Sequence, residues 1–155
     1  MPRGKEPLAQ TYLAFDYGLK RIGVAQADSI TGRARALTTL PSDWNAVTRL
    51  VQEWRPDQLI VGLPLTLDGG EQEITATARR FARRLAHEFR LPVSLCDERM
   101  SSLAAQDMLR AQRASGERRR RLKKQDIDSH AASVILQQWL DGESKEHGLD
   151  EQPAD

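Results

Sequence analysis

LAFDYGLKRIGVA, residues 13–25, decides how this chain is read. The stretch is apolar enough for a buried strand, yet it carries an ionisable Asp16, and Gly18 and Gly23 flank a pair of cations, Lys20 and Arg21. If 11–17 (TYLAFDY) is a strand, Leu13, Phe15 and Tyr17 share one face, and Tyr12, Ala14 and Asp16 share the other. A second β-type run, RIGVAQA at 21–27, follows a connection around Gly18 that is too short for a crossover helix. The two runs are therefore expected to pair as an antiparallel hairpin. A third, weaker strand is expected at 34–40 (ARALTTL), ending at Pro41.

Further on, helix and strand signals alternate. Ser42 and Asp43 offer N-caps to a helix in which Trp44, Val47, Leu50, Val51 and Trp54 recur at helical spacing until Pro56. QLIVGL at 58–63 is short and continuously apolar, as suits a strand covered on both faces. After the loop PLTLDGG comes EQEITATARRFARRLAHEF, with Ile74, Ala78, Phe81, Leu85 and Phe89 on one side. Arg79, Arg80, Arg83 and Arg84 lie largely on the other, giving an amphipathic helix with a basic outer face. VSLC at 93–96 reads as a strand running straight into Asp97, Glu98 and Arg99. Ser101 or Ser102 then caps a helix with Leu103, Met108 and Leu109 as core contacts, and residues 110–124 read as a mobile basic loop. A last helix starts near Asp126 and buries Ile127, Ala131, Val134, Ile135 and Trp139. The expected fold is α/β: a mixed five-stranded sheet, a three-strand antiparallel meander plus two parallel strands, with helices on both faces. Residues 1–140 are expected to form one domain, and 141–155 a disordered acidic tail.

Composition narrows the function classes. The 155 residues are 39% hydrophobic and 29% charged, with a net charge of +1, a balance that fits a globular protein rather than a disordered or fibrous one. The near-neutral total conceals a basic stretch offset by the acidic tail. No run approaches the length of a membrane helix and the polar start lacks the apolar stretch of a signal peptide, so the expectation is a cytoplasmic protein without membrane contact. Cys96 is the only cysteine, which excludes an internal disulfide and a multi-cysteine zinc site. His87 lacks the second histidine of a zinc-protease helix, and His130 reads as a packed or capping residue.

Three carboxylates stand at element ends, where chemistry collects in such sheets: Asp16 at the first strand, Glu98 after the last, and Asp128 in the first turn of the last helix. Each also has a structural reading. Asp128 could complement the helix dipole, Glu98 could pair with Arg99, and Asp16 could cap the Gly18 turn. Together they suggest more, because clustered anions repel unless a cation compensates them. Oxygen ligands without His or Cys point to Mg²⁺ or Mn²⁺. Two such ions suit phosphodiester cleavage, activating a water and stabilising the leaving oxygen. Gly18 and Gly23 would then let a nucleic-acid backbone come close.

AFDYGLKRIGVA at 14–25, IVGLPLTLDGGEQ at 60–72, DERMSS at 97–102 and DIDSHAA at 126–132 together closely resemble the YqgF family, relatives of the RuvC-type Holliday-junction resolvases. The resemblance covers about 11–140. It implies a ribonuclease H-like fold and a nuclease role, trimming the 5′ end of precursor 16S ribosomal RNA. It also marks Asp16, Glu98 and Asp128 as the catalytic, metal-binding acids. Thr66 and Leu67 depart from the family's LPLNMDG loop, which puts an amide-mediated contact there in doubt.

The leading expectation is a metal-dependent nuclease on structured RNA, a monomer or weak homodimer. Lys20, Arg21 and Arg99 would meet phosphates, and Arg118, Arg119, Arg120, Arg121, Lys123 and Lys124 would add a salt-sensitive grip. Three alternatives stay open: resolution of four-way DNA junctions, a non-catalytic RNA-binding module, and the phosphate loop of a sugar-kinase or actin-like ATPase. The last needs two domains closing on a nucleotide, more than this length supplies.

Overall fold

A computed structural model describes residues 9–64, 70, 72–97 and 124–142, with side chains of the last segment from Ile127 onward. Strands β1 (Thr11–Asp16), β2 (Arg21–Asp28) and β3 (Arg35–Pro41) lead into helix α1 (Trp44–Trp54). Strand β4 (Gln58–Leu63), helix α2 (Glu73–Phe89), strand β5 (Val93–Asp97) and helix α3 (Lys124–Leu140) follow. The sheet has five strands in the order β3-β2-β1-β4-β5. The meander β1-β2-β3 is antiparallel, and β1, β4 and β5 run parallel, as the sequence predicted.

Residue alternation divides the interior into two layers. Leu13, Phe15, Ile22, Val24, Leu59, Val61, Leu63, Val93 and Leu95 face α1 and α2. The opposite face carries smaller residues, Ala14, Ala25 and Ala27, and takes α3 through Ala132, Ile135 and Leu136. Small side chains allow a helix to approach the sheet closely, so α3 lies nearly on the backbone of β2.

Helix ends follow local chemistry. Asp43 is the N-cap of α1, accepting from the Asn45 N–H at 3.2 Å. Gln72 and Thr75 form a reciprocal capping box on α2, and the Thr75 hydroxyl also donates to the Pro64 carbonyl. Both helices end on an arginine in the left-handed region, Arg55 at φ 48° and Arg90 at φ 55°. Three sequence expectations shift. Strand β3 includes Pro41, which a sheet edge tolerates because its missing N–H faces no partner strand. Helix α3 is described from Lys124 onward, so Asp128, expected in the first turn, lies beyond it. Its buried residues are Ala131, Ala132, Ile135 and Leu136, while Ile127, Val134 and Trp139 are only half-buried.

Candidate active site

The three parallel strands end at one edge of the sheet, the end where open α/β sheets bind ligands. Asp16 closes β1 there, half-buried, and Asp97 closes β5 opposite Leu63 of β4. Because β2 is antiparallel, it starts at the same edge, with Arg21. Asp16 therefore stands directly across from Gly23 in the β1-β2 ladder.

Gly23 links this edge to α3. A β-carbon on it would lie 2.1 Å from the Asp128 carbonyl oxygen, 2.4 Å from the Asp128 carbonyl carbon and 3.0 Å from the Ser129 nitrogen. The helix backbone thus occupies the space that a side chain would fill, and one glycine separates the backbone of Asp128 from the strand position facing Asp16. This corrects one sequence expectation: the room beside Gly23 belongs to α3, not to an approaching nucleic-acid backbone. The signal was present in the sequence, because Gly23, Ala25 and Ala27 form a small-residue face of one strand, and a strand glycine often marks a close backbone neighbour. Gly18 serves the hairpin, since a β-carbon there would lie 2.6 Å from the Arg21 carbonyl oxygen.

The side chain of Asp128 is not isolated. Arg21 donates from Nε to its Oδ2 at 2.9 Å, across 107 residues of sequence. With side chains 33% and 28% exposed, the pair contributes at most about 1 kcal/mol to stability. A guanidinium has further N–H donors, so Arg21 keeps capacity for a phosphate oxygen. Lys20 is exposed at the tip of the hairpin. Of the other sequence-predicted site residues, Glu98, Arg99, Arg118, Arg119, Arg120, Arg121 and Lys123 lie outside the described residues, and Lys124 is described only as the first residue of α3. The helix expected from Ser101, the basic loop, the loop with Thr66 and Leu67, and the tail beyond Gly142 also lie outside.

The donor chemistry fits a hard divalent ion. Asp16 on the sheet and Asp128 on the helix are carboxylates at one edge, the hard oxygen donors that such an ion takes. Among the described residues no group of three or more His, Cys, Asp or Glu side chains could hold a metal ion; of the three expected acids, the described part contains Asp16 and Asp128.

A family model described as RuvX, Holliday junction resolvase, matches residues 10–142. The chain belongs to the RuvX family. Curated relatives of this RuvX chain carry the name "Putative pre-16S rRNA nuclease". One from Legionella pneumophila strain Lens is 44% identical over 145 residues, covering 90% of this chain and 97% of its own. Another, from Paraburkholderia phytofirmans, is 44% identical and covers 95% and 97%. A third, from Escherichia coli O157:H7, is 45% identical and covers 86% and 98%. Among solved structures, Thermus thermophilus RuvC in complex with a Holliday junction substrate superposes with a TM-score of 0.56 at 16% identity, over 90% of this chain and 99% of that one. That likeness establishes the RuvC type of fold for the RuvX chain, and the ribonuclease H-like expectation with it. No helix among the described residues is long and apolar enough to cross a membrane.

Proposed function

We propose that the chain is a metal-dependent nuclease that hydrolyses phosphodiester bonds in the 5′-end processing of precursor 16S ribosomal RNA. What supports this reading is the backbone of Asp128 lying against Gly23, the residue across the ladder from Asp16, at the carboxyl edge of the parallel strands. The name shared by the relatives at 44–45% identity supports the RNA substrate. Asp16 and Asp128, with Glu98 as the third acid, would hold Mg²⁺ or Mn²⁺. When bound, such ions polarise a phosphoryl oxygen and lower the pKa of a coordinated water. The chain's own cations do the rest. Arg21 holds Asp128 in place and offers its remaining N–H groups to a non-bridging phosphate oxygen, and Lys20 meets a phosphate further along the strand.

The family's description favours a second reading, cleavage of four-way DNA junctions. One experiment separates them. Precursor 16S rRNA with its 5′ extension and a synthetic four-way junction are each incubated with Mg²⁺ or Mn²⁺ and the unaltered protein, Asp16→Asn or Asp128→Asn. Cleavage of the RNA alone, lost in both variants while RNA binding persists, is the expected result. Equal products from variant and unaltered protein would remove the site, and cleavage of the junction alone would transfer the function to DNA.

A further inference from the structure

The last residue of β1 and the next one point to opposite sides of the sheet. Asp16 shares the face of Ala14, toward α3, and Tyr17 packs with the cluster under α1 and α2. Beside Tyr17 lies a cavity of about 280 Å³, whose wall includes Asp43, Trp44, Arg80, Phe81 and Arg84. Tyr17 and Phe81 supply its aromatic floor, with ring centroids 4.8 Å apart at a 36° tilt. Trp44 is packed between neighbours, with Arg84 4.0 Å over its ring and Phe89 stacked at 5.8 Å. Arg80 and Arg84, one helical turn apart and both exposed, form a cationic rim. The groove continues past Thr77 and Arg80 into a second depression of about 850 Å³, bordered by Leu19, which is 71% exposed, and by the start of α2.

We propose that this groove binds an unpaired stretch of the substrate strand, seating one base on Tyr17 and Phe81 with its phosphate on Arg80 and Arg84. The proposal rests on the nuclease reading and specifies the substrate beside the cut. At about 280 Å³ the cavity falls just below the roughly 300–1,000 Å³ typical of ligand sites, room for a base but not for a base pair in a duplex. Aromatic surface next to arginines is the chemistry by which proteins hold single strands without reading much sequence. Charge sets the orientation. Asp43 at one side repels a phosphate and can accept from a base amino or imide N–H, while the arginines of α2 take the phosphate. Leu19 gives the next base an apolar surface, and the strand leaves past Lys20 toward Asp16. The groove lies one residue from the proposed active acid, so the strand held there enters the site unpaired.

Binding is tested in EDTA, where cleavage cannot occur, by fluorescence anisotropy of a labelled RNA octanucleotide, single-stranded or annealed to its complement. The single strand should bind more tightly. Tyr17→Leu, which keeps apolar bulk but loses the ring, should weaken single-strand binding roughly five- to 150-fold, with duplex binding little changed. The exposed pair Arg80→Gln with Arg84→Gln should lower the salt slope of single-strand binding by about 0.7 per lost contact. Asp43→Asn retains the helix cap and should change only the preference among bases. Should Tyr17→Leu fold poorly by circular dichroism, the arginine pair decides. Folded variants that bind the single strand as the unaltered protein does, or that lose single-strand and duplex binding in equal measure, overturn the proposal. Asp128→Asn keeps the two readings apart: it should bind in EDTA unchanged, and cleavage surviving in it would refute the active site without altering the groove measurements.

Discussion

Replacing Gly23 with alanine tests the junction on which the proposed active site depends. The added β-carbon would start 2.1 Å from the Asp128 carbonyl oxygen, whereas real β-carbons essentially never come within 3.0 Å of such an atom. At least 0.9 Å of separation is therefore needed, and both sides of the contact are backbone. Neither side can retreat by changing a rotamer, so α3 must lift off β2 or the ladder opposite Asp16 must bend. Overpacking of this kind costs about 1–3 kcal/mol, and a backbone contact belongs at the upper end. Against a total stability of about 5–15 kcal/mol the variant should still fold. Activity should suffer more than stability, because a displacement near 1 Å in a catalytic group costs on the order of a hundredfold. Urea denaturation followed by circular dichroism and tryptophan fluorescence gives the stability, and cleavage per folded molecule gives the activity. Gly32→Ala is the control: nothing lies within 4 Å of its β-carbon, but φ is +65°, so it should lose about 1 kcal/mol and no activity. A Gly23→Ala protein within about 0.5 kcal/mol of the unaltered chain, cutting at the same rate, would refute the packing and the reasoning built on it.

Asp16→Asn should reduce cleavage by roughly a hundredfold or more, since oxygen ligands and their ion contribute several kcal/mol, and chelation should abolish cleavage until Mg²⁺ or Mn²⁺ is restored; chelator-resistant cleavage would count against the metal. Arg90→Gly relieves a left-handed arginine at the end of α2, so it should raise stability by about 0.5–1 kcal/mol and Tm by a few degrees, and a lower Tm would contradict the strain. The Asp28 carboxyl is held below the ordinary aspartate range, chiefly by the Thr31 backbone N–H, partly opposed by desolvation and aided by the Ile30 N–H. Its folded pKa is depressed, so its stabilisation is complete above the unfolded value and is lost as pH falls through the folded one. An NMR titration showing Asp28 at or above the usual aspartate value would sink that account.

Much of the fold could be read from the sequence because period and connection length constrain each other. TYLAFDY and RIGVAQA, joined by a short turn, admit only an antiparallel pairing, and QLIVGL and VSLC, each following a helix, admit parallel ones. Asp16 stood out for a different reason, because an acid at the end of an apolar run is costly unless something compensates it, and Asp128 stood out as an acid near the start of the last helix. Helix α3 was harder to read because apolar residues lie on several of its sides, so Val134 and Leu136 competed for the core and the sheet's small-residue face decided between them. The partnership of Arg21 with Asp128 could not be read at all, since it depends on which strand lies under α3. The cavity beside Tyr17 was hidden in the same way: Trp44 comes from α1 and Phe81 and Arg84 from α2, and each satisfies an ordinary amphipathic pattern by itself.

Alternation at the end of β1 explains why these features belong together. A strand turns successive side chains to opposite faces, so any chain ending a strand with an acid and an aromatic residue divides the two chemistries between the two layers. Here the α3 layer, floored by alanine and glycine, is thin enough to bring the backbone of Asp128 against Gly23, across the ladder from Asp16. The α1 and α2 layer is built from large side chains, and a cavity is left where Tyr17 passes the sheet edge. A strand of nucleic acid crossing that edge would meet base-stacking surface on one side and carboxylates on the other within two consecutive residues. The identity of Tyr17 should therefore influence where the substrate is cut, and Asp16 whether it is cut. Shifting the cleavage position by changing Tyr17, with the rate per bound substrate maintained, would separate these two roles.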